Sequence, residues 1–170
     1  MMNNILIITG GTGGHVIPAV NFFNYIVNKS DNAFLLTDNR GSKYIKNINK
    51  KNIFQIKSSH LSGNFYFKIK GIFKLLIGLL QSIIIIIKLK PKTIISFGSY
   101  ASLTPLLCII VYKIFFKCPL YIHEQNSVVG QTNKIFIKFS KKIFMNFHKE
   151  YKSLYKYKEK IVVVGLPQKK

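Results

Sequence analysis

Acidic side chains are nearly missing from this sequence: 5 Asp and Glu stand against 26 Lys and Arg in 170 residues, a formal net charge of +21. That scarcity excludes a neutral or acidic surface and favours anionic partners: nucleic acid, anionic lipid or phosphorylated substrates. Arginine is scarcer still. Arg40 is the only one, and every other basic residue is lysine. The bias toward Lys, Ile, Asn and Phe is of the kind an AT-rich genome produces, so part of the charge is compositional drift. Cysteine is limited to Cys108 and Cys118, both in or beside apolar segments and without C-x-x-C spacing. This argues against a metal site and for two buried, reduced thiols. No zinc pattern, RNP-like aromatic motif or compact basic recognition helix is present, so nucleic acid is not expected among the partners. The N-terminus lacks the basic-then-apolar shape of a signal peptide, and the expected location is the cytoplasm.

What is present suits one domain of ordinary size, with 48% hydrophobic residues to build its core. Strand-like runs recur at Ile5–Ile8, Ala33–Leu36, Ile53–Ile56, Thr93–Phe97, Leu120–Ile122, Ile143–Phe147 and Ile161–Val164. Several are continuously apolar, as strands covered on both faces are. Helix-like segments lie between most of them: Pro18–Val27, Ser42–Ile48, Phe67–Leu89, Ser102–Phe116 and Thr132–Phe139. The alternation predicts an α/β fold, a Rossmann-like doubly wound parallel sheet whose ligand sits beyond the carboxyl ends of the strands. The segments Gly10–Gly14, Phe97–Ser102 and His123–Asn126 all fall there.

The first of these reads Gly10-Gly-Thr-Gly-Gly-His-Val16, directly after an apolar strand and before Pro18 in a first helical turn. Bare backbone N–H groups at a helix N-terminus make an anion site, and His15 at its lip suggests chemistry as well as binding. The glycines fit neither the dinucleotide pattern nor a P-loop. The competing reading is a tight strand-to-helix turn whose histidine caps or packs.

Two segments are unusually apolar, Leu75–Ile87 and Ala101–Tyr112, and neither uncharged run attains the 18–20 or so residues of a spanning helix. On a helical wheel Lys70, Lys74, Gly78, Gln81, Ser82 and Lys88 share one strip, and everything opposite is apolar. A helix covering a sheet needs an apolar stripe of only about 100°. The excess is buried either by neighbouring helices or by a membrane, with lysines at the headgroups.

The segment Ile122-His-Glu-Gln-Asn-Ser-Val-Val-Gly-Gln-Thr-Asn-Lys134, together with Gly10 to Pro18, closely resembles the N-terminal half of the MurG-type glycosyltransferases of family 28, which have the GT-B fold. Phe97-Gly-Ser-Tyr-Ala-Ser102 sits where that family has a second glycine loop. The resemblance covers essentially residues 1–170, about half of the family's chain, and implies the acceptor-binding domain. Gly165-Leu-Pro resembles the family's domain boundary, so the donor domain is expected to be absent.

The resemblance implies an inverting transfer of N-acetylglucosamine from UDP-GlcNAc to lipid I, making lipid II for peptidoglycan. It implies that Gly10, Gly11, Thr12, Gly13 and Gly14 cradle the acceptor diphosphate and that His15 is the general base. Glu124, with Gln125 and Asn126, would line the cleft, Glu124 as the second catalytic candidate, and Asn133 would support the acceptor side. Gly98, Tyr100 and Ser102 would bind sugar or phosphate, although a plain loop is an equal reading there. His123 is expected to be structural, because strand alternation points it the other way. Ser99 replaces a family glycine, and Leu103-Thr104 stands where Gly-Pro is usual.

The expected partners are a polyprenyl-diphosphate-linked sugar acceptor, an anionic membrane surface and a separate UDP-GlcNAc-binding domain or subunit, as in the split transferase of the dolichol pathway. No cofactor or metal is expected. The expected placement is peripheral, on the inner face of the cell membrane. The other class left open is a non-catalytic or truncated module that binds polyprenyl diphosphates.

Overall fold

The structure, a computed structural model, describes residues 4–29, 32–60, 64–147 and 152–168. Seven strands form one parallel sheet: β1 (Asn4–Ile8), β2 (Asn32–Asp38), β3 (Ile53–Ile56), β4 (Thr93–Ser96), β5 (Leu120–Glu124), β6 (Lys142–Met145) and β7 (Ile161–Val163). Their order is β3-β2-β1-β4-β5-β6-β7, and every neighbouring pair is parallel. The chain winds outward from β1 in one direction and, after β3, crosses to β4 and winds in the other. The crevice between β1 and β4 is therefore the topological switch point at which such sheets bind ligands.

Both faces of the sheet are covered, which is why the strands read as continuous apolar runs. Ile7, Ala33, Leu35, Ile95 and Phe97 pack with Ala19 and Phe23 of α1 (Gly13–Val27). The alternate residues Leu6, Ile8, Leu36, Ile94, Leu120 and Ile122 pack on the other face against α2 (Phe65–Leu89), α3 (Leu103–Phe115) and α4 (Gln131–Phe136). The expected helix over 42–48 is instead a single 3-10 turn at Gly41–Tyr44. Gly41 is pinned to Asp38 through its N–H, and Asn47 adopts φ 60, which ends any helical path.

The largest departure is in α2. Asn64 caps it through the Phe67 N–H, and the helix runs for 25 residues. It is long and apolar enough to cross a membrane by length and composition, contrary to the expectation from the uncharged run alone, yet only 28% of its most apolar stretch is buried. Its strands at either end belong to one sheet, so it lies along that sheet. The docking face runs beside the polar strip and shares its small residues Gly78 and Ser82, while Lys70, Lys74 and Lys88 stay exposed. Gly71, Gly78 and Ser82 are buried, with Ile85, Ile86 and Leu89, and Gln81 accepts from the Lys57 N–H at 2.8 Å. Ser82 Oγ turns back to the Gly78 carbonyl, satisfying its hydroxyl inside the helix. Small residues let the backbones approach, and the apolar side chains are left outside.

Gly78 is where this approach is closest: a Cβ there would lie 2.0 Å from the Lys57 carbonyl oxygen. Alanine is the better helix former, by about 1 kcal/mol. Gly78→Ala is nonetheless expected to lower Tm by roughly 2–10 °C through overpacking. Leu80→Ala, on the exposed face of the same helix, leaves Tm within about 2 °C. Thermal denaturation followed by circular dichroism compares the two.

Candidate functional site

Three loops meet at the carboxyl edge of β1, β4 and β5, and two buried carboxylates tie them down. Asp38, at the end of β2, is 2% exposed. Its Oδ1 accepts from the N–H groups of Gly11 and Gly41, both at 2.9 Å, and its Oδ2 from Ser58 Oγ at 2.8 Å and Arg40 Nε at 3.3 Å. Burial opposes the charge, but these donors outweigh it and hold the carboxyl below its ordinary value. Nothing in the sequence analysis singled out Asp38. Its only signal was an acidic residue at a strand end in a chain with five acids.

The glycine loop is shaped by this contact. Gly11 takes φ 74, a conformation glycine adopts freely. A Cβ on Gly10 would overlap Ala101 at 2.4 Å and Asp38 at 2.9 Å, so that glycine serves close packing between loops. With the Gly11 N–H taken by Asp38, the N–H groups of residues outside the buried part of the loop that have no acceptor among the described residues are those of Thr12, Gly13 and Gly14. The amides of His15 and Val16 already close the first turn onto the Thr12 carbonyl. Thr12 and Gly14 are exposed. The amides open to an anion at the N-terminus of α1 are thus three, beginning two residues after the first glycine of the motif.

His15 stands in that first turn, half-buried. Its Nδ1 lies 2.8 Å from the Phe97 carbonyl, and Gln125 Nε2 donates to the same oxygen at 2.5 Å while lying 3.0 Å from Nδ1. A carbonyl can only accept, so Nδ1 carries a proton and Nε2 is the nitrogen left to act as an acceptor. Gln125 is buried and holds this arrangement; its Oε1 has no partner among the described residues.

Glu124, at the end of β5, is fully buried rather than solvated. Oε1 accepts from Asn126 N and Nδ2, both at 3.0 Å; Oε2 accepts from Gly130 N at 2.8 Å and Asn133 Nδ2 at 2.9 Å. Its oxygens are occupied by donors of its own loop and α4, an arrangement that organises residues 124–133. Asn133 lies beneath Gly98, which has φ 78 and whose Cβ would meet the Asn133 amide at 3.0 Å. Ser102 is buried and bonds the Gly98 carbonyl, closing the second loop. Ser99 adopts φ 82 and ψ 163, a backbone region that favours glycine, and its Oγ accepts from Ala101 N.

Of the remaining candidates, Tyr100 is partly exposed, with its ring 3.6 Å from that of His60. Asn126 is exposed at the rim. His123 is buried, stacked on Phe97 and bonded to the Gly165 carbonyl, and burial holds its pKa below the ordinary value. The two thiols donate to backbone carbonyls, and burial pushes both up to about 11. Among the described residues no group of His, Cys, Asp and Glu is placed to hold a metal.

Because the folded carboxyl of Asp38 ionises below its unfolded value, its contribution is complete above pH 4–5 or so and is lost as pH falls through the folded value. Asp38→Asn is expected to cost about 1–3 kcal/mol at pH 7. The difference from wild type should shrink below about pH 4. Urea denaturation repeated from pH 7 to pH 3 measures both.

Residues 5–145 match the N-terminal domain of glycosyltransferase family 28. Over 165 residues the chain is 36% identical to the UDP-N-acetylglucosamine--N-acetylmuramyl-(pentapeptide) pyrophosphoryl-undecaprenol N-acetylglucosamine transferase of Rickettsia rickettsii, covering 96% of this chain and 42% of that relative. The corresponding protein of Rickettsia canadensis is also 36% identical, with 44% of its length covered. The chain thus spans less than half the length of these relatives. The crystal structure of Acinetobacter baumannii MurG superposes with a TM-score of 0.75 over 99% of this chain and 47% of that one, at 24% identity. The same fold recurs in the UDP-N-acetylglucosamine 2-epimerase of Rickettsia bellii, with a TM-score of 0.67 over 98% of this chain and 46% of that one, at 17% identity. The parallel sheet, the paired loops at its switch point and these matches agree: the chain belongs to glycosyltransferase family 28 and carries its N-terminal domain.

Proposed function

We propose that this chain is the acceptor-binding half of an inverting N-acetylglucosamine transferase that acts on a polyprenyl-diphosphate sugar, with UDP-GlcNAc held by a donor-binding half in the same or another chain. The observation that carries the reading is the pairing, on one helical turn, of three unclaimed amides with an imidazole whose proton is fixed on the far nitrogen. The amides and the helix dipole favour the acceptor's diphosphate. His15 Nε2 accepts the proton of the acceptor hydroxyl as its oxygen bonds to the anomeric carbon and the bond from that carbon to the UDP oxygen breaks. One displacement inverts the centre, and UDP leaves on the donor side. Gln125 and the Phe97 carbonyl keep the imidazole oriented, and Glu124 holds the loop that carries Gln125. Lipid I is the acceptor this reading favours, from the activity named for the Rickettsia relatives.

The second part of the reading is peripheral contact with an anionic membrane. Phe65, Phe67, Phe73, Leu76, Leu80, Ile84 and Ile87 stand exposed along α2, and Leu107, Val111, Ile114 and Phe115 along α3. An apolar groove of about 560 Å³ lies between them. An exposed apolar face of this extent on a chain of +21 suits a bilayer surface that a polyprenyl acceptor also occupies.

Gly14→Asp separates binding from folding. A Cβ at Gly14 meets nothing nearer than Thr12 Oγ1 at 3.9 Å, and an acid in a first turn favours the helix by about 0.3–1 kcal/mol. The variant should keep or raise Tm while losing at least roughly tenfold in affinity for farnesyl diphosphate by calorimetry. Joined to the donor half of the Rickettsia rickettsii relative, wild type should transfer GlcNAc to lipid I. His15→Ala should keep diphosphate affinity within a few fold and lower turnover by about 10²–10⁴. Diphosphate binding with no transfer by the joined pair would reduce the reading to a non-catalytic polyprenyl-diphosphate-binding module.

For the membrane, wild type should co-sediment with phosphatidylglycerol vesicles in low salt and be released as salt rises. Phe73→Asp with Ile84→Asp, at positions 63% and 66% exposed, should abolish co-sedimentation with Tm unchanged. Equal binding to neutral vesicles at high salt would overturn the electrostatic part.

A further inference from the structure

Arg40, the one arginine among 26 basic residues, sits beside the glycine loop. Its Nε is fixed on Asp38, and the side chain is still 52% exposed. The notch above Gly11 is bounded by its guanidinium and by Ser99: a Cβ on Gly11 would meet Ser99 Oγ at 3.4 Å and Arg40 Nη2 at 3.8 Å. Arg40 also lines a polar pocket of about 330 Å³ beside α2, with Ser58, Ser59, His60, Lys70 and Lys74 in its wall. The one carboxylate near it among the described residues is Asp38, which is already committed to four donors. Three cationic side chains, with His60 beside them, therefore converge on a cavity in which no acid balances them.

We propose that this pocket is a second anion subsite, continuous with the α1 amides, and that Arg40 is its principal ligand for one phosphoryl group of a diphosphate ester whose other phosphoryl rests on Thr12, Gly13 and Gly14. The proposal rests on the acceptor-binding reading above and adds to it the residue that supplies the countercharge. A guanidinium can do both tasks at once. Its Nε bonds Asp38 and fixes the plane, while the terminal nitrogens face the notch with donors in a fork that matches phosphate oxygens. A lysine at the same place has one compact head: it can bond Asp38 or the phosphate, without that geometry. This accounts for an arginine at this position in a chain whose other cations are all lysines. Asp38 is then a positioning residue for two parts of one site, since the same carboxylate holds the Gly11 amide and the Arg40 fork. Lys70 and Lys74 add field without fixed geometry, and the Ser99 hydroxyl is directed at the same notch from the opposite loop.

The test uses farnesyl diphosphate, inorganic pyrophosphate and phosphatidylglycerol vesicles as probes of the wild-type chain and of Arg40→Lys. Arg40 is exposed enough for the substitution to leave Tm unchanged, which thermal denaturation checks. The proposal expects Arg40→Lys to weaken farnesyl diphosphate and pyrophosphate at least roughly tenfold while vesicle co-sedimentation is kept. Lys117→Arg, at an exposed position outside the pocket, should leave diphosphate affinity within about threefold. Wild-type affinity for farnesyl diphosphate in Arg40→Lys, alongside its loss in Gly14→Asp, would overturn the proposal and leave the acceptor reading standing. Loss of vesicle binding with diphosphate affinity intact would assign the pocket to lipid headgroups and overturn it as well. No diphosphate binding by wild type would overturn both.

Discussion

The carboxyl edge of this sheet depends on buried carboxylates accepting backbone amides. Two of the five acids in the chain do this work. Asp38 joins the glycine loop, the turn after β2 and the segment after β3. Glu124 gathers the turn after β5 and the start of α4. A buried carboxylate is costly unless it is fully hydrogen-bonded, and each of these is. Scarcity of acid on the surface and its concentration beneath the site are two aspects of one design: negative charge is kept under the loops, and the open side is left to amides, an imidazole and a guanidinium.

His15 shows how such support fixes a side chain. A free imidazole divides its neutral population between two tautomers and turns about two bonds. Here the Phe97 carbonyl selects one tautomer, and Gln125 blocks rotation from behind. Phe97 itself is fixed by the core, packed with Phe22 and stacked on His123. The orientation of the nitrogen at the lip is therefore set by residues that touch no solvent, a supporting arrangement that catalytic geometry requires.

Much of this was legible in the sequence. All seven strands were: burial on both faces writes an uninterrupted apolar run in the central ones, and the edge strands β3 and β7, though partly exposed, are short, mostly apolar runs as well. So was the position of His15, because glycines between a strand and a helix have a physical reason to be there. The resemblance placed Glu124, Gln125 and Asn133 at the site, and geometry added what each one touches. Asp38 and Arg40 were not legible: a charged residue just after a strand looks like any solvated turn, and only the fold brings it under Gly11. The orientation of α2 was misleading, since hydropathy predicts that the apolar side packs inward. The signal that opposes it is small residues at positions 71, 78 and 82, whose side chains are too short to hold backbones apart.

The inverted face of α2 has a colloidal consequence. Outside a bilayer, its row of aromatic and branched side chains is a sticky surface that each copy of the domain presents to every other. What separates the copies in dilute solution is mutual repulsion between molecules of charge +21. Added salt shortens the reach of that repulsion and leaves the apolar contact intact. On the membrane-surface reading proposed above, the ionic conditions that would release the domain from a charged surface are thus those that weaken its self-repulsion.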